Sequence, residues 1–246
     1  MGGLQMMSEN ANCKRTKKIM FTMLASIMAS GTTLQYTSLA VKASEIYETV
    51  DIDLEYEDFI QDEYEVFNAD TGEFETLSYE EFDNFLNVSL DINTMTPAQR
   101  DLFDQAVEEG ISRQARNLKE TPEEIRNQVL QIFDSNTPTK RLLALNISNS
   151  TVSIVINAAI AVAIGGASAA AMKTYMQKKG KDALLSVLGI TVVRSLTNIA
   201  NSKVAQKSSQ FILQVVSQLL DPGAYIANKL DQNDYKGKNG QWNVKI

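Results

Sequence analysis

The sequence predicts a mainly α fold: a helical C-terminal bundle or hairpin preceded by a small acidic α+β N-terminal region. Three observations carry this. No charged residue occurs from Leu142 to Met172. Helix-start signals recur at Ser78, Thr96 and Thr121, as a hydroxyl before proline or as Ser-x-x-Glu. Charge is sharply divided, with 25 acids and 5 bases in residues 44–135 against 4 acids and 13 bases in residues 136–246. The net charge of −7 for the 246 residues hides this polarity. Halves of opposite sign attract each other, serve different partners, or are simply solvated faces.

The first segment reads as an export signal. Lys14, Arg15, Lys17 and Lys18 form a basic region, and Ile19–Ala29 is an apolar core too short for a stable span. Small residues follow. Val41-Lys42-Ala43 places cleavage between Ala43 and Ser44, with Ser38-Leu39-Ala40 as a second candidate. The competing reading is an uncleaved anchor. Met6 and Met7 are alternative starts. The predicted organisation is 1–43 signal peptide, 44–135 acidic α+β region, 136–230 apolar and basic helical region, and 231–246 hairpin-like tail. The expected location is extracellular.

The residue inventory restricts the chemistry. The one cysteine, Cys13, precedes the apolar core of the signal, and there is no histidine. The exported part therefore has no disulfide, cysteine nucleophile, histidine base or zinc site built on these residues. Asp51, Asp53, Glu55 and Glu57 are spaced like calcium ligands but lack the mid-loop glycine. Glu80, Glu81 and Asp83 offer carboxylates for glycoside cleavage without a spacing that assigns roles. The basic half has no arginine-rich or aromatic face for nucleic acid. No catalytic residue, metal ligand or cofactor is expected.

Along the chain, Val50, Ile52, Leu54 and Tyr56 alternate with acids, which predicts a short strand or extended arm. Residues 64–77 carry two alternating runs around Asn68-Ala69-Asp70-Thr71-Gly72, which predicts a β-hairpin. Ser78 and Glu81 match a capping box for a helix with Phe82, Phe85 and Leu86 on its apolar face. Two amphipathic helices follow, one from Pro97 to about Leu118 and one from Pro122. Ser135–Thr139 breaks the pattern, and composition changes there.

The densest apolar stretch, Val152–Met172, has about the 20 residues that a bilayer span needs. Helical spacing lines up Ile156, Ile160 and Ile164 as one ridge. Ala159, Ala163, Ala167 and Ala171 form a small row, as do Ala161, Gly165 and Ala169. Such rows permit close helix approach in membranes and in tight soluble bundles. Gly165-Gly166 weakens a helix in water, so close packing on that face is expected as compensation. Lys173, Lys178, Lys179 and Lys181 follow as candidates for an anionic membrane surface. Asp182 is expected to cap a second apolar piece ending at Arg194. That piece is shorter than a span and extends to Ser202 only if Arg194 meets water or a partner. Ser208–Leu220 is a further amphipathic helix, with Asp221-Pro222-Gly223 ending it. Asn239-Gly240 favours a type I′ hairpin turn, and Trp242 packs on the body or lies at a membrane interface.

The signal peptide, the Ala/Gly-rich helices at 152–200 and the ending Asp231, Asp234, Asn239, Gly240, Trp242 resemble large unmodified secreted bacteriocins of Gram-positive bacteria, the dysgalacticin and streptococcin type. The plan also resembles toxins with a buried helical hairpin, such as the pore-forming colicins. Members of the bacteriocin group can carry a disulfide, which the exported part of this chain lacks. The resemblance implies growth inhibition of related bacteria through their envelope. The first expectation is thus a non-enzymatic antimicrobial toxin that inserts through Ile156, Ile160, Ile164, Gly165, Gly166 and Ala169, its acidic half shielding the rest until contact. Its partners would be a target-cell membrane or envelope receptor and an immunity protein, not nucleic acid. The alternative is a secreted envelope-binding module whose apolar helix is core and whose contact surface is Tyr47, Tyr56, Phe59, Tyr64 and Phe67.

Overall fold

The acidic region opens with the predicted hairpin: β1 (Glu63–Asn68) pairs antiparallel with β2 (Glu73–Ser78), Asn68 opposite Glu73. Asn68 Oδ1 accepts the backbone N–H groups of Asp70 and Thr71, and Gly72 supplies the positive φ of the turn. The computed structural model describes residues 54–114, 120–136 and 146–243. The expected signal peptide, its expected Ala43–Ser44 cleavage site, Tyr47 and the expected arm before Leu54 lie outside the described residues.

The fold is mainly α. Helix α1 (Tyr79–Ser89) starts at the Ser78–Glu81 capping box. Glu81, fully exposed, is held below the usual carboxylate range by the Ser78 hydroxyl and N–H. Helix α2 (Pro97–Gln114) begins with Gln99 N–H on Thr96 Oγ1. Helix α3 (Pro122–Ile132) has the Thr121–Glu124 box. A two-residue strand, β3 (Ile147–Ser148), leads into α4 (Asn149–Ile164), capped by the Ser148 hydroxyl. Then come α5 (Ala169–Lys179), α6 (Lys181–Thr197), α7 (Ser202–Gln206), α8 (Ile212–Gln218), α9 (Pro222–Asn233) and the strand β4 (Gln241–Trp242).

The core is built around α4. All residues from Thr151 to Ile164 are buried. Helices α2, α9, α6 and α3 pack around it; β1 and α1 also touch it, and Phe67 of β1 meets Gly165 at its C-terminal end. Acidic and basic regions therefore share one core. Phe103 stands edge-on to Phe133 at 5.0 Å, and Tyr64 stacks on Phe82 at 4.3 Å.

Several local expectations are corrected. Tyr56, the last residue of the expected strand or extended arm, instead opens a 3-10 turn, Tyr56–Phe59, where the Glu55 N–H meets the Asp58 carboxylate; Val50 and Ile52 lie outside the described residues. The apolar run is two helices, since Gly165 (φ 78°) ends α4 in the left-handed region and Gly166 (φ 147°) turns the chain before Ser168 caps α5. The rows of small residues thus do not form one continuous face. Asp182 lies inside the first turn of α6, with Gly180 at the cap position. Ser208–Leu220 divides into a 3-10 turn, Lys207–Phe211, and α8, which ends at Leu219 with φ 49°. The tail is no local hairpin: β4 pairs antiparallel with the distant β3, Ile147 opposite Trp242. Only Gly240 of the Asn239-Gly240 pair has positive φ, so a type I′ turn is not formed.

Candidate functional site

The membrane-insertion candidates occupy three environments. Ile156, Ile160 and Ile164 are fully buried on α4. Gly165 and Gly166 are half-buried at the break, and Ala169 is exposed at the start of α5. The run Asn149–Lys179 is 31 residues, long and apolar enough by composition to cross a bilayer, with 67 % of its most apolar stretch buried. Its break matters more than its total length. Helix α4 alone is 16 residues, about 24 Å at 1.5 Å per residue, against a hydrocarbon core of roughly 30 Å.

Close approach to these helices is made mostly by glycines. A β-carbon at Gly110 of α2 would stand 2.6 Å from Ile154, and one at Gly223 of α9 only 2.1 Å from the Ser153 carbonyl. At Gly189 of α6 it would stand 2.3 Å from the Phe59 ring, and at Gly165 3.0 Å from the Phe67 ring. Phe59 and Phe67 thus plug notches in the apolar helices. This accounts for the aromatics of the acidic region. Phe59 and Tyr64 are buried, and Tyr56 and Phe67 are half-buried, so they face inward rather than forming a contact surface. Burial raises the Tyr56 phenol to about 12.

One polar stripe crosses the buried helix. Asn149, Ser153 and Asn157 recur four apart on α4. Asn157 Nδ2 donates to Asp221 at 2.9 Å, and its Oδ1 accepts the Gly223 N–H at 3.0 Å. Asp221 also caps α9 through the Ala224 N–H and pairs with Arg113 of α2 at 2.7 Å. Thr151 donates to Gln128 of α3 at 2.9 Å. Above the stripe lies a cleft of about 370 Å³ between α2 and α9, whose lining includes Arg113, Gln114, Asn149, Ser153, Asp221 and Asn228. Sequence periodicity on apolar residues misses this stripe. Its signal is the four-residue repeat of polar residues inside a charge-free run.

The basic candidates are unequal. Lys173 and Lys178 are exposed, whereas Lys179 and Lys181 are half-buried. Lys179 Nζ lies 2.6 Å from Glu65, with the two side chains 24 % and 27 % exposed. Glu65 Oε2 has no conventional hydrogen bond, so this ion pair is its compensation. Lys178 and Lys179 also stand 5.4 and 5.6 Å over the Phe74 ring. Tyr175 donates to the Glu65 carbonyl. Arg194, whose charge limits the second apolar piece, has a partner in Asp83 of α1.

The quoted C-terminal residues form a knot. The Asp231 carboxylate accepts the N–H groups of Asn239 and Gly240 and the Asn149 side chain at 2.9–3.1 Å. Asp234 accepts the N–H groups of Lys236, Gly237 and Asn243. Burial alone would raise Asp234, but the Asn243 backbone and side chain, with Gly237 and Lys236, hold it below the ordinary aspartate value. Trp242, 2 % exposed, is interior. Among the described residues, no group of three or more acidic, histidine or cysteine side chains is placed to hold a metal ion.

Comparison with protein families, curated proteins and solved structures finds no match to this chain.

Proposed function

We propose that this is a secreted, non-enzymatic, membrane-active protein of bacteriocin-like type that acts by delivering its apolar helices into a target-cell bilayer. The observation that supports it most is α4: an uncharged helix, buried from Thr151 to Ile164, inside a coat of helices. Apolar side chains gain nothing from one another that lipid would not supply equally, so such a helix can exchange a protein coat for hydrocarbon. The lysines of α5 offer attraction to an anionic surface, at about 1 kcal/mol each when near it. An envelope receptor and an immunity protein are proposed companions of this activity.

A second reading, an envelope-binding module with α4 as permanent core, is favoured by the Thr151–Gln128 and Asn157–Asp221 bonds, which fix α4 in the bundle. Dye release from phosphatidylglycerol-containing vesicles separates the two. Leakage that fades with added salt is expected. Neither leakage nor binding at low salt would sink the first reading and leave the second.

A further inference from the structure

We propose that residues 54–89 form a displaceable cover over α5, α6 and the C-terminal end of α4, and that an anionic phospholipid surface competes this cover away. The inference rests on the membrane-active reading and adds its control.

The segment has the composition of a competitor for lipid. Residues 54–89 contain 12 acids and no lysine or arginine. Among the described residues, its two ion pairs with other elements, Glu65–Lys179 and Asp83–Arg194, both use bases of α5 and α6. Phe74 lies under Lys178 and Lys179. An anionic surface attracts these cations and repels the cover, so both effects act in the same direction. Phe59 and Phe67 sit in the notches at Gly189 and Gly165 as steric fits, while the Tyr175–Glu65 bond and the two ion pairs are the polar ties of the cover.

The segment also has its own interior and a natural place to part. Tyr64 stacks on Phe82, and Val66 and Leu86 are buried with them. Among the described residues, the sheet has only β1 and β2. A lone two-stranded hairpin is marginal in water, so it depends on docking. Residues 90–96 then connect it to α2. The rest of the acidic region is different. Helix α2 meets Ile154 through Gly110, and α3 bonds α4 through Gln128 and Thr151, so neither can leave without opening the bundle. Of the acidic half, the cover is the separable part, hinged to α2 where Gln99 Nε2 donates to the Ser89 hydroxyl.

The test is a reversible lock in the full chain carrying Cys13→Ser. Phe59 Cγ lies 2.3 Å from where a β-carbon at position 189 would stand, so Phe59→Cys with Gly189→Cys brings two thiols within disulfide reach. The probe is dye release from phosphatidylglycerol/phosphatidylcholine vesicles. The oxidised protein is expected to lose leakage, and reductant to restore it. Equal leakage by oxidised and reduced forms overturns the cover and leaves the membrane reading standing. If the wild-type chain releases no dye, both fall. A second measurement avoids the cysteine variants: hydrogen exchange of wild-type protein bound to the same vesicles. Faster exchange in 54–89 with α2 still protected is the expected pattern. Unchanged protection of 54–89 in the bound state overturns the cover.

Discussion

The two ends of α4 are held by different forces. The first nine residues are tied by directional bonds: Asn149 to Asp231, Thr151 to Gln128, Asn157 to Asp221 and Gly223. From Ala158 to Ile164 every side chain is apolar and buried, and the helix stops at a glycine notch filled by Phe67. The difference teaches which end is portable. A buried polar group that loses its partner costs about 1–3 kcal/mol, whereas an apolar side chain moved into lipid keeps an equivalent environment. The first end belongs to the bundle. Under the membrane-active proposal, the second is the end that would be released, with α5 and α6.

The strongest way to break this comparison is to open a cavity at the apolar end. Ile160→Ala is expected to lower unfolding free energy by about 2–5 kcal/mol in a urea titration. A change near zero would mean that this end is not packed as described. Asn157→Ala comes next, at about 1–3 kcal/mol, because Asp221 and the Gly223 N–H lose a partner in one step. Membrane leakage should survive it if only the polar end is loosened. Abolished leakage in a folded Asn157→Ala protein would show the polar end to be part of the inserting unit. Gly165→Ala should cost about 1–2 kcal/mol, since position 165 is left-handed and faces the Phe67 ring.

The acid response sharpens the same contrast at the knot beside the first end. The Asp234 carboxyl is lowered on folding, so its contribution is complete above the unfolded value, about 3.9, and is lost as pH falls through the lower folded value. Hydrogen exchange should therefore rise at the tail below about pH 4 and less so in Asp234→Asn. Unchanged tail protection at that acidity would remove Asp234 from the account. The smallest effect belongs to the exposed Arg126–Glu108 pair, 2.6 Å apart. Glu108→Gln should shift stability by no more than about 1 kcal/mol, measured by thermal unfolding.

Much of the local structure was legible in the residues. Ser78–Glu81 and Thr121–Glu124 capped the helices they announced, and Asn68 with Gly72 made the hairpin turn. These motifs act over three or four residues, so neighbours in sequence suffice. Longer-range choices were not readable. Gly165-Gly166 is compatible with a tightly packed membrane helix and with a break. Asn239-Gly240 invites a local hairpin, but Asp231 and Asp234 capture its backbone and leave β4 to pair with β3.

The sequence by itself determined the helical character, the charge division and an uncharged helix that must avoid water, because these follow from composition and short-range periodicity. Only the tertiary structure decided where α4 breaks, which glycines admit Phe59 and Phe67, and that the polar residues of α4 meet Gln128, Asp221 and Asp231. Those outcomes depend on partners dozens of residues away, and no local propensity encodes the position of a distant backbone.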